Sequence, residues 1–461
     1  MSTRTIDRTS MTARSPEAGF RIVDQVLVDP GIASVYEHGW QSWSPTDTYA
    51  VTRTSARPTT AWQQRMRFRP ETPAPSEGFQ GEGLLVVEPA PGEPARVYSS
   101  ADPVHDAPSI RAALHGDRLM ITANGPVVER SYDLGIGPAL AGFADELVST
   151  RGVPLPRVAP TAWCSWYHYF LDVTEADVLA NLAAIAAADL PVDVVQVDDG
   201  WQAGIGDWSG LSARFDSLSA LADRIRADGR RAGIWLAPFV VGADSPLARD
   251  HPEWLVGAAG ENWGQALYGL DLTHPEVRTW VAEVLGHLRS DGFDYFKLDF
   301  LYAGALPGRR HEDVSATTAY RSGLELVRTA VGPDAYLLGC GAPLLPSVGL
   351  LDAMRVSPDT FSPDEPAGAD EPLRGATCAR ARRWQHGRFW VNDADCLVAR
   401  PTFLRRAAWA AVVEQCSGLR SASDRIADLD AWGLETTRRL LGTVPAPTPF
   451  VDGGTEDGDG R

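Results

Sequence analysis

The sequence lacks the cysteine pairs, metal-ligand spacings and long apolar runs that mark several large classes of protein. Its 461 residues contain five cysteines, an odd number without regular spacing, so neither a disulfide framework nor a zinc-ligand pattern is present. No stretch of 18 apolar residues occurs, and the first 20 residues contain no apolar run of signal-peptide length. These absences predict a soluble, cytoplasmic protein with buried free thiols.

Basic residues are outnumbered as well. The chain has 42 Lys and Arg against 60 Asp and Glu, which gives a formal net charge of -18. This balance disfavours nucleic acid and anionic membrane surfaces as partners and favours a neutral or cationic ligand. Tryptophan, in contrast, is abundant. The chain has fifteen, and flat indole faces suit sugar rings as well as protein cores.

The order of predicted elements divides the chain into three parts. Residues 1–155 contain short β-type runs separated by turn residues, which predicts an antiparallel β-sandwich. Residues 156–440 alternate apolar strands with helical stretches, which predicts a (β/α)8 TIM barrel and an α/β fold class. Residues 441–461 are polar, acidic and rich in Gly and Pro, which predicts a disordered tail. The eight predicted barrel strands lie within 161–167, 192–201, 231–240, 293–302, 335–341, 353–359, 388–397 and near 415–422.

Polar and aromatic residues accumulate where these strands end. In a barrel of parallel strands, all of these ends meet at one mouth, where catalytic residues stand. Carboxylates accept hydrogen bonds from sugar hydroxyls and indoles stack on sugar rings, so the set predicts a pocket for a neutral polyhydroxylated ligand. Its members are Trp163, Trp166, Asp198, Asp199, Trp201, Trp235, Lys297, Asp299, Cys340, Arg355, Asp359, Asn392, Asp393 and Asp395.

Each feature has a simpler structural explanation when taken alone. Asp198 and Asp199 could cap the following helix. The pair Lys297 and Asp299, two residues apart on one strand face, could be a structural ion pair. Arg355 and Asp359 could form a loop salt bridge. Trp163 and Trp235 could belong to the core, and Cys340 could be a small apolar residue. His168 and His386 lack any partner spacing, which is typical of surface or core histidines. Only a shared site explains why these features meet at one mouth.

Six motifs in the barrel region, and one before it, stand out together. The motifs are HGWQSWSP (38–45), WCSWYHYF (163–170), VQVDDGW (195–201), GIWLAPF (233–239), YFKLDF (295–300), RVSPD (355–359) and WVNDADCL (390–397). In combination they resemble glycoside hydrolase family 36, the α-galactosidases and their relatives, over about residues 36–400. The family's β-sandwich domain lends a tryptophan to the barrel's active site, and HGWQSWSP resembles that segment.

The resemblance implies a retaining, exo-acting α-galactosidase that removes terminal α-linked galactose without a cofactor or metal. Two aspartates would carry the reaction: Asp299 as the nucleophile and Asp359, four residues after a substrate-contacting Arg355, as the acid/base. The paired Asp198 and Asp199 would bind galactose hydroxyls. The remaining substrate-binding residues are expected to be Lys297, Trp235, Trp163, Trp201, Cys340 and one of Trp40 or Trp43, with Trp43 preferred.

This chemistry needs the two carboxyl groups in opposite ionisation states. Lys297 is expected to be the countercharge that keeps Asp299 ionised, and Asp359 is expected to have a raised pKa. A direct contact from Arg355 would oppose that rise, so Arg355 is expected to point toward the sugar.

Several departures and alternatives remain open at this stage. A C-terminal β-domain is expected to be short or missing, the acid/base loop reads Ser357-Pro358-Asp359, and the segment GCGAPLLPSVGLLD differs from many members. Within the family, α-N-acetylgalactosaminides or transfer to another sugar are alternative reactions. Outside it, Asp198, Asp299 and Asp359 could hold Mg²⁺ or Mn²⁺, or the pocket could bind sugar without catalysis. Relatives often assemble as oligomers, which makes a homo-oligomer an expectation.

Overall fold

The structure is a computed structural model that describes residues 19–133, 135–361 and 374–450. Its N-terminal part is a sandwich of two antiparallel sheets with the strand orders β1-β8-β7-β4 and β3-β2-β5-β6-β9. The strands are β1 (Arg21–Leu27), β2 (Ser34–Glu37), β3 (Asp47–Ala50), β4 (Phe79–Glu82), β5 (Leu84–Glu88), β6 (Ala95–Ser99), β7 (Ser109–His115), β8 (Arg118–Ala123) and β9 (Val128–Tyr132).

Alternation of apolar residues along these strands builds the core between the two sheets. Val35, Leu85 and Val87 point inward from one sheet, and Phe79 and Ile121 meet them from the other. Two helices belong to this part: α1 (Ala61–Arg67) and α2 (Ile136–Arg151). The first lies beside the barrel mouth and therefore matters for the site.

The second part alternates strands with helices. Its strands are β10 (Ala162–Cys164), β11 (Val194–Val197), β12 (Gln202–Gly204), β13 (Asp207–Leu211), β14 (Arg231–Leu236), β15 (Val240–Gly242), β16 (Leu255–Asn262), β17 (Gln265–Leu270), β18 (Phe293–Leu298), β19 (Tyr336–Gly339), β20 (Ala353–Arg355), β21 (Val391–Asp393) and β22 (Ser421–Ala422).

Helices lie between these strands. They are α3 (Trp166–Tyr169), α4 (Glu175–Ala187), α5 (Leu218–Ala227), α6 (Pro246–Asp250), α7 (Pro275–Ser290), α8 (Ala316–Val331), α9 (Leu344–Ser347), α10 (Arg374–Ala381), α11 (Arg406–Cys416) and α12 (Ala431–Leu441). Short 3₁₀ turns lie at Phe170–Asp172, Pro252–Trp254, Leu301–Ala305, Arg383–Gln385 and Ile426–Asp428.

Eight of the strands form one parallel sheet in the order β21-β20-β19-β18-β14-β11-β10-β22. The two edge strands also meet, because the amide of Leu397 donates to the carbonyl of Ser421 at 2.8 Å and that of Leu419 to Asn392 at 3.0 Å. The sheet thus closes on itself, and all eight predicted barrel strands are present. The predicted fold class, a (β/α)8 barrel with an N-terminal β-sandwich, is confirmed.

Local sequence signals explain where several barrel helices begin. Thr174 and Asp177 form a capping box at the start of α4, and Ser217 caps α5 by accepting from the amide of Ala220. Pro275 occupies the first turn of α7, where a missing N–H costs nothing. Since α5 begins at Leu218 with Ser217 as its cap, Asp198 and Asp199 do not cap this helix.

The segment after α12 follows a defined path along the barrel. The ring of Phe450 stacks on His386 with centroids 4.0 Å apart, and the carbonyl of Ala446 lies 3.3 Å from Nε2 of that histidine. These contacts fall within the segment that composition assigned to a disordered tail. Its remainder, residues 451–461, and residues 1–18 of the predicted sandwich domain lie outside the described residues. In the described part of the chain, no helix is both long and apolar enough to cross a bilayer.

Candidate active site

A pocket of about 600 Å³ opens at the carboxyl ends of the barrel strands. Both parts of the chain contribute to its wall, and most of its lining side chains are aromatic or acidic. The lining residues are Trp43, Trp62, Met66, Arg67, Trp166, Leu171, Asp198, Asp199, Trp235, Asn262, Trp263, Gly264, Lys297, Asp299, Phe300, Pro358 and Asp359.

Asp198 and Lys297 form a buried ion pair at the floor of this pocket. The Nζ of Lys297 lies 2.8 Å from Oδ2 of Asp198, and the side chains are 6% and 2% exposed. Gln196 also donates to the same oxygen at 2.6 Å. Burial alone would lower the pKa of Lys297, but the charges around it, led by the Asp198 carboxylate and including Asp299, together raise that pKa well above its ordinary value. The direct ion pair of Lys297 is therefore with Asp198 and not with Asp299. The charge of Asp299 still acts on Lys297 electrostatically, and the role of Lys297 as its countercharge stays a prediction.

Asp199 is held by two donors from outside its own strand. Nε2 of Gln202 donates to one carboxylate oxygen at 2.6 Å and Nε1 of Trp263 to the other at 2.8 Å. Burial raises the pKa of Asp199 to about 7, and the negative charges of Asp198 and Asp299 add to this rise against the two hydrogen bonds. At neutral pH this carboxyl group can therefore donate as well as accept a hydrogen bond.

Asp299 follows the last residue of β18 and presents its carboxylate to the pocket. Nε1 of Trp235 donates to Oδ2 at 3.0 Å, and the amide of Phe300 donates to Oδ1 at 2.8 Å. Phe300 adopts a left-handed φ of 51°, a conformation that costs energy for a residue other than glycine and recurs at functional sites. The turn directs the Phe300 amide at the Asp299 carboxylate, and this hydrogen bond fixes the orientation of the carboxylate.

Asp359 is the second carboxyl group that could act in a displacement. Removal from bulk water raises its pKa to about 6, the Arg355 guanidinium opposes this rise, and the charges of Asp395 and Asp299 add to it. Its side chain is still 44% exposed at the mouth. Enclosure of this carboxyl group under a bound sugar ring would favour its protonated form.

Arg355 does not point toward the sugar, which corrects the expectation from the sequence. Its Nη1 donates to Oδ1 of Asp359 at 2.8 Å, and the same guanidinium pairs with Asp395 and lies 3.5 Å from Asp393. The side chain is only 2% exposed and does not line the pocket. Arg355 divides its charge among three carboxylates, and this limits how far it lowers the pKa of Asp359.

The β-sandwich contributes Trp43 to the wall through the Trp43 loop, which we define as residues 39–46. The indole packs edge-on against Phe300, with ring centroids 5.0 Å apart, and lies over Gly341. Gly341 has a φ of +55°, and a Cβ there would meet the Trp43 ring at 2.9 Å, so a glycine is required at this contact. Trp40, the other candidate, is buried beneath the guanidinium of Arg69 instead.

The rest of the wall comes from a hairpin, β16–β17, inserted between the third barrel strand and α7. Trp263 lies at its tip, where it adopts a φ of 52° and packs on Phe300 at 4.9 Å. Helix α1 braces the hairpin, because Nε1 of Trp62 donates to the carbonyl of Glu261 at 2.6 Å and Arg65 donates to that of Ala258 at 2.8 Å.

These residues of the hairpin and of α1 were missed by the sequence analysis. The segment 241–275 departs from the alternation of strand and helix, so periodicity does not predict its structure. The one sequence feature that indicates the hairpin is the turn Asn262-Trp263-Gly264, which places an aromatic residue at the hairpin tip.

Besides Arg355, three predicted substrate-binding residues lie behind the wall and not on it. Trp163 and Trp201 are fully buried, and their indole N–H groups donate at 2.8 Å to the carbonyls of Asp424 and Trp235. Cys340 is 1% exposed and does not line the pocket. These three side chains support the wall from within the core. Trp235, Trp43 and the four residues Asp198, Asp199, Lys297 and Asp299 do line the pocket as predicted.

The carboxylates of the site are held by nitrogen donors. Asp198, Asp299 and Asp359 accept from Lys297, Trp235 and Arg355 respectively. No group of three or more His, Cys, Asp or Glu side chains among the described residues is arranged to hold a metal ion.

Comparison with known proteins identifies a family for this arrangement. The family model described as Melibiase matches residues 150–327. Among solved structures, an α-galactosidase from Thermus thermophilus, determined in complex with stachyose, is 30% identical, with a TM-score of 0.73 over 89% of this chain and 90% of that one. The chain belongs to glycoside hydrolase family 36, the α-galactosidase family. The resemblance identified in the sequence is confirmed.

Two further relatives match over shorter segments. The bifunctional α-galactosidase/sucrose kinase of Mediterraneibacter gnavus is 33% identical over 161 residues, and an α-galactosidase of Geobacillus stearothermophilus is 28% identical over 195 residues. The matched segments make up 17% and 26% of those relatives. The crystal structure of the Geobacillus protein has a TM-score of 0.60 at 16% identity, which supports the shared fold.

Proposed function

We propose that this family 36 protein is a retaining, exo-acting α-galactosidase that removes terminal α-linked galactose from oligosaccharides. The observation that carries the proposal is the difference between two carboxyl groups lining one pocket. Asp299 accepts hydrogen bonds from Trp235 and from the Phe300 amide, as a carboxylate would, whereas the pKa of Asp359 is raised to about 6. Retaining hydrolysis requires such a pair on opposite sides of a glycosidic bond.

In the first proposed step, a carboxylate oxygen of Asp299 attacks the anomeric carbon and forms a covalent glycosyl ester. The bond from that carbon to the leaving oxygen breaks, and the proton of Asp359 passes to this oxygen. In the second step, Asp359 takes a proton from a water molecule whose oxygen attacks the same carbon, and the carboxylate of Asp299 is released. The two inversions together retain the α configuration.

The floor of the pocket supplies groups suited to hydroxyls. Asp198 and Lys297 offer an acceptor and a donor held in place by their own ion pair, and Asp199 offers a carboxyl group near its titration point at neutral pH. Trp43, Trp235 and Trp263 present apolar faces around the position proposed for the sugar ring. This combination of charged groups that are paired or hydrogen-bonded with several indoles supports a single neutral sugar as the occupant.

The experiment that tests the proposal measures nitrophenol release from a panel of aryl α- and β-glycosides. We expect selective cleavage of the α-galactoside, and proton NMR of the first-formed sugar should show the α anomer. A preference for the α-N-acetylgalactosaminide would keep the mechanism and change the substrate. Loss of activity on dialysis against a chelator, or no cleavage of any glycoside, would contradict the proposal.

The substitution Asp198→Asn tests the proposed sugar-binding role. Because it leaves Lys297 buried without its countercharge, we expect about 3 kcal/mol less stability and a galactose inhibition constant about 10- to 100-fold higher. The matched control is Asp424→Asn, which breaks another buried ion pair, with Arg400 at 2.9 Å, outside the pocket. It should lose similar stability in thermal unfolding while galactose inhibits it as it inhibits the wild type. Equal inhibition constants in the two variants would contradict the role of Asp198.

Cell location and assembly are further parts of the proposal. All five cysteines are unpaired and buried, which supports a reducing compartment and therefore the cytoplasm. Fractionation of the producing cells tests this, and enrichment in a secreted fraction would contradict it. A homo-oligomer is the expected assembly, which light scattering measures directly.

A further inference from the structure

We propose that Arg382 is a positioning residue that sets the Trp43 loop and the loop carrying Asp359 against each other across the domain boundary. The inference rests on the proposed function, because it assigns the placement of one pocket wall and of the acid/base to a side chain outside the pocket. Arg382 follows α10, is fully buried, and does not line the pocket.

The guanidinium of Arg382 gathers four acceptors from the Trp43 loop. Its Nη2 donates to the carbonyls of Ser44 at 2.8 Å and Gln41 at 3.2 Å and to Oγ1 of Thr46 at 2.6 Å. Its Nη1 donates to the carbonyl of Ser42 at 2.6 Å. These acceptors flank Trp43 on both sides, so the arginine fixes the loop around the indole.

The same nitrogen that holds Ser42 also holds the barrel loop that follows β20. Nη1 donates to the carbonyl of Val356 at 2.8 Å, three residues before Asp359. One planar group therefore sets the distance between the backbone bearing the aromatic wall and the backbone bearing the proposed acid. Because a guanidinium is rigid and presents its donors in a fixed fork, it transmits this geometry better than a lysine would.

Other contacts of the Trp43 loop cannot replace this one. The amide of Ser42 donates to the carbonyl of Ala342 at 3.1 Å, and the amide of Leu344 donates to that of Trp40 at 3.0 Å. Both tie the loop to the segment after β19. In the part of the chain that the structure describes, only the hydrogen bonds of Arg382 link the loop to the strand end that leads to Asp359.

The five acceptors of Arg382 are four carbonyl oxygens and one hydroxyl, all uncharged. Burial of a cation against neutral groups is unfavourable, and burial lowers the pKa of Arg382 from its ordinary value. Arg420 has the same character, since it is 4% exposed and donates to the carbonyls of Val413 and Glu414, both at 2.9 Å. It lies away from the pocket and is therefore the matched control.

The test compares Arg382→Lys with Arg420→Lys in the full chain. We expect Arg382→Lys to lower kcat/KM on an activated aryl α-galactoside about 10- to 100-fold, because small displacements of positioned groups cost this much, and Arg420→Lys to change it less than about 2-fold. Both should lower the melting temperature. Hydrogen exchange of a peptide spanning 39–46 should accelerate in Arg382→Lys and stay at the wild-type rate in Arg420→Lys.

A double-mutant cycle with Trp43→Ala separates positioning from general destabilisation. If Arg382 acts through the indole, Arg382→Lys should lower kcat/KM on the aryl substrate less than about 3-fold when it is made in the Trp43→Ala variant. The inference would be overturned if the losses of kcat/KM in the two single variants multiplied in the double variant. It would also be overturned if Arg420→Lys lowered kcat/KM as much as Arg382→Lys does. If Arg382→Lys does not fold, Thr46→Val removes one acceptor at nearly constant volume, and unchanged activity and exchange in it would also overturn the inference.

The two levels of the hypothesis fail separately. A wild type that cleaves no glycoside contradicts the proposed function, while the exchange of 39–46 still tests the placement by Arg382. If the wild type is active and hydrogen exchange of 39–46 is unaltered in Arg382→Lys, only the proposed positioning of the Trp43 loop by Arg382 is contradicted.

Discussion

Replacing Asp299 by alanine is expected to lower kcat/KM on every α-galactoside by about 10⁴-fold or more, since a covalent mechanism has no substitute for its nucleophile. The fold should survive, because among the described residues the carboxylate makes only two hydrogen bonds, to the Trp235 indole and the Phe300 amide. Steady-state kinetics together with a thermal unfolding curve provide the measurement. Residual activity above about 1% of the wild type would contradict the assignment of the nucleophile.

A small anion makes this test more specific. Azide can enter the space left by the Asp299 side chain, form a bond from nitrogen to the anomeric carbon and expel the aryl oxygen. The expected product is the β-galactosyl azide, with configuration inverted relative to the substrate. The control is Asp223→Ala, which removes a carboxylate that is 69% exposed on the barrel surface, and it should behave as wild type with or without azide.

The second large effect is expected from Asp359→Ala, and its size should depend on the leaving group. Oligosaccharides need a proton on the departing oxygen, so kcat/KM on them should fall about 10²- to 10⁴-fold. Aryl galactosides with strongly acidic phenols need little proton donation and should lose far less in the first step. The ratio of the two losses is the measurement, and equal losses would remove Asp359 as the acid.

The pH dependence follows from the pKa of about 6 for Asp359. The residue donates its proton in the first step, so it must be protonated, and the protonated fraction declines as the pH rises through this value. The kcat/KM of the wild type on an oligosaccharide should therefore fall on the alkaline side with a midpoint near pH 6, because this ratio reports the free enzyme. This alkaline limb should be absent from the profile of Asp359→Ala, and its persistence there would assign it to another group.

The sequence predicted the barrel and the floor of the site because both depend on strand periodicity. Eight apolar runs with intervening helices specify closure, and residues such as Asp198 and Asp299 immediately follow their strands. Partner choice across the barrel interior does not follow from periodicity. β11 and β18 are separated by β14, so only the closed barrel brings Lys297 to Asp198.

The errors have a similar origin. A tryptophan near a strand end predicts a sugar platform, but Trp163 and Trp201 direct their N–H groups to carbonyls inside the core. Arg355 has three carboxylates within reach, two of them on the neighbouring strand β21 and just beyond it, which a linear reading cannot see. Trp263 was missed because its hairpin lies outside the repeating pattern that defines the barrel.

The bracing of the β16–β17 hairpin by α1 has a consequence for the order of events during synthesis. Trp62 contacts Glu261, a residue made 199 positions later, and Gln41 contacts the barrel still further along the chain. Domains generally fold as units as they emerge, so we expect the sandwich to form before the strands that carry the two carboxylates are synthesised. We expect the hairpin wall of the pocket to close against this earlier domain. A fragment containing only the barrel would hold both aspartates in a pocket open on one side, so activity is expected from the whole chain.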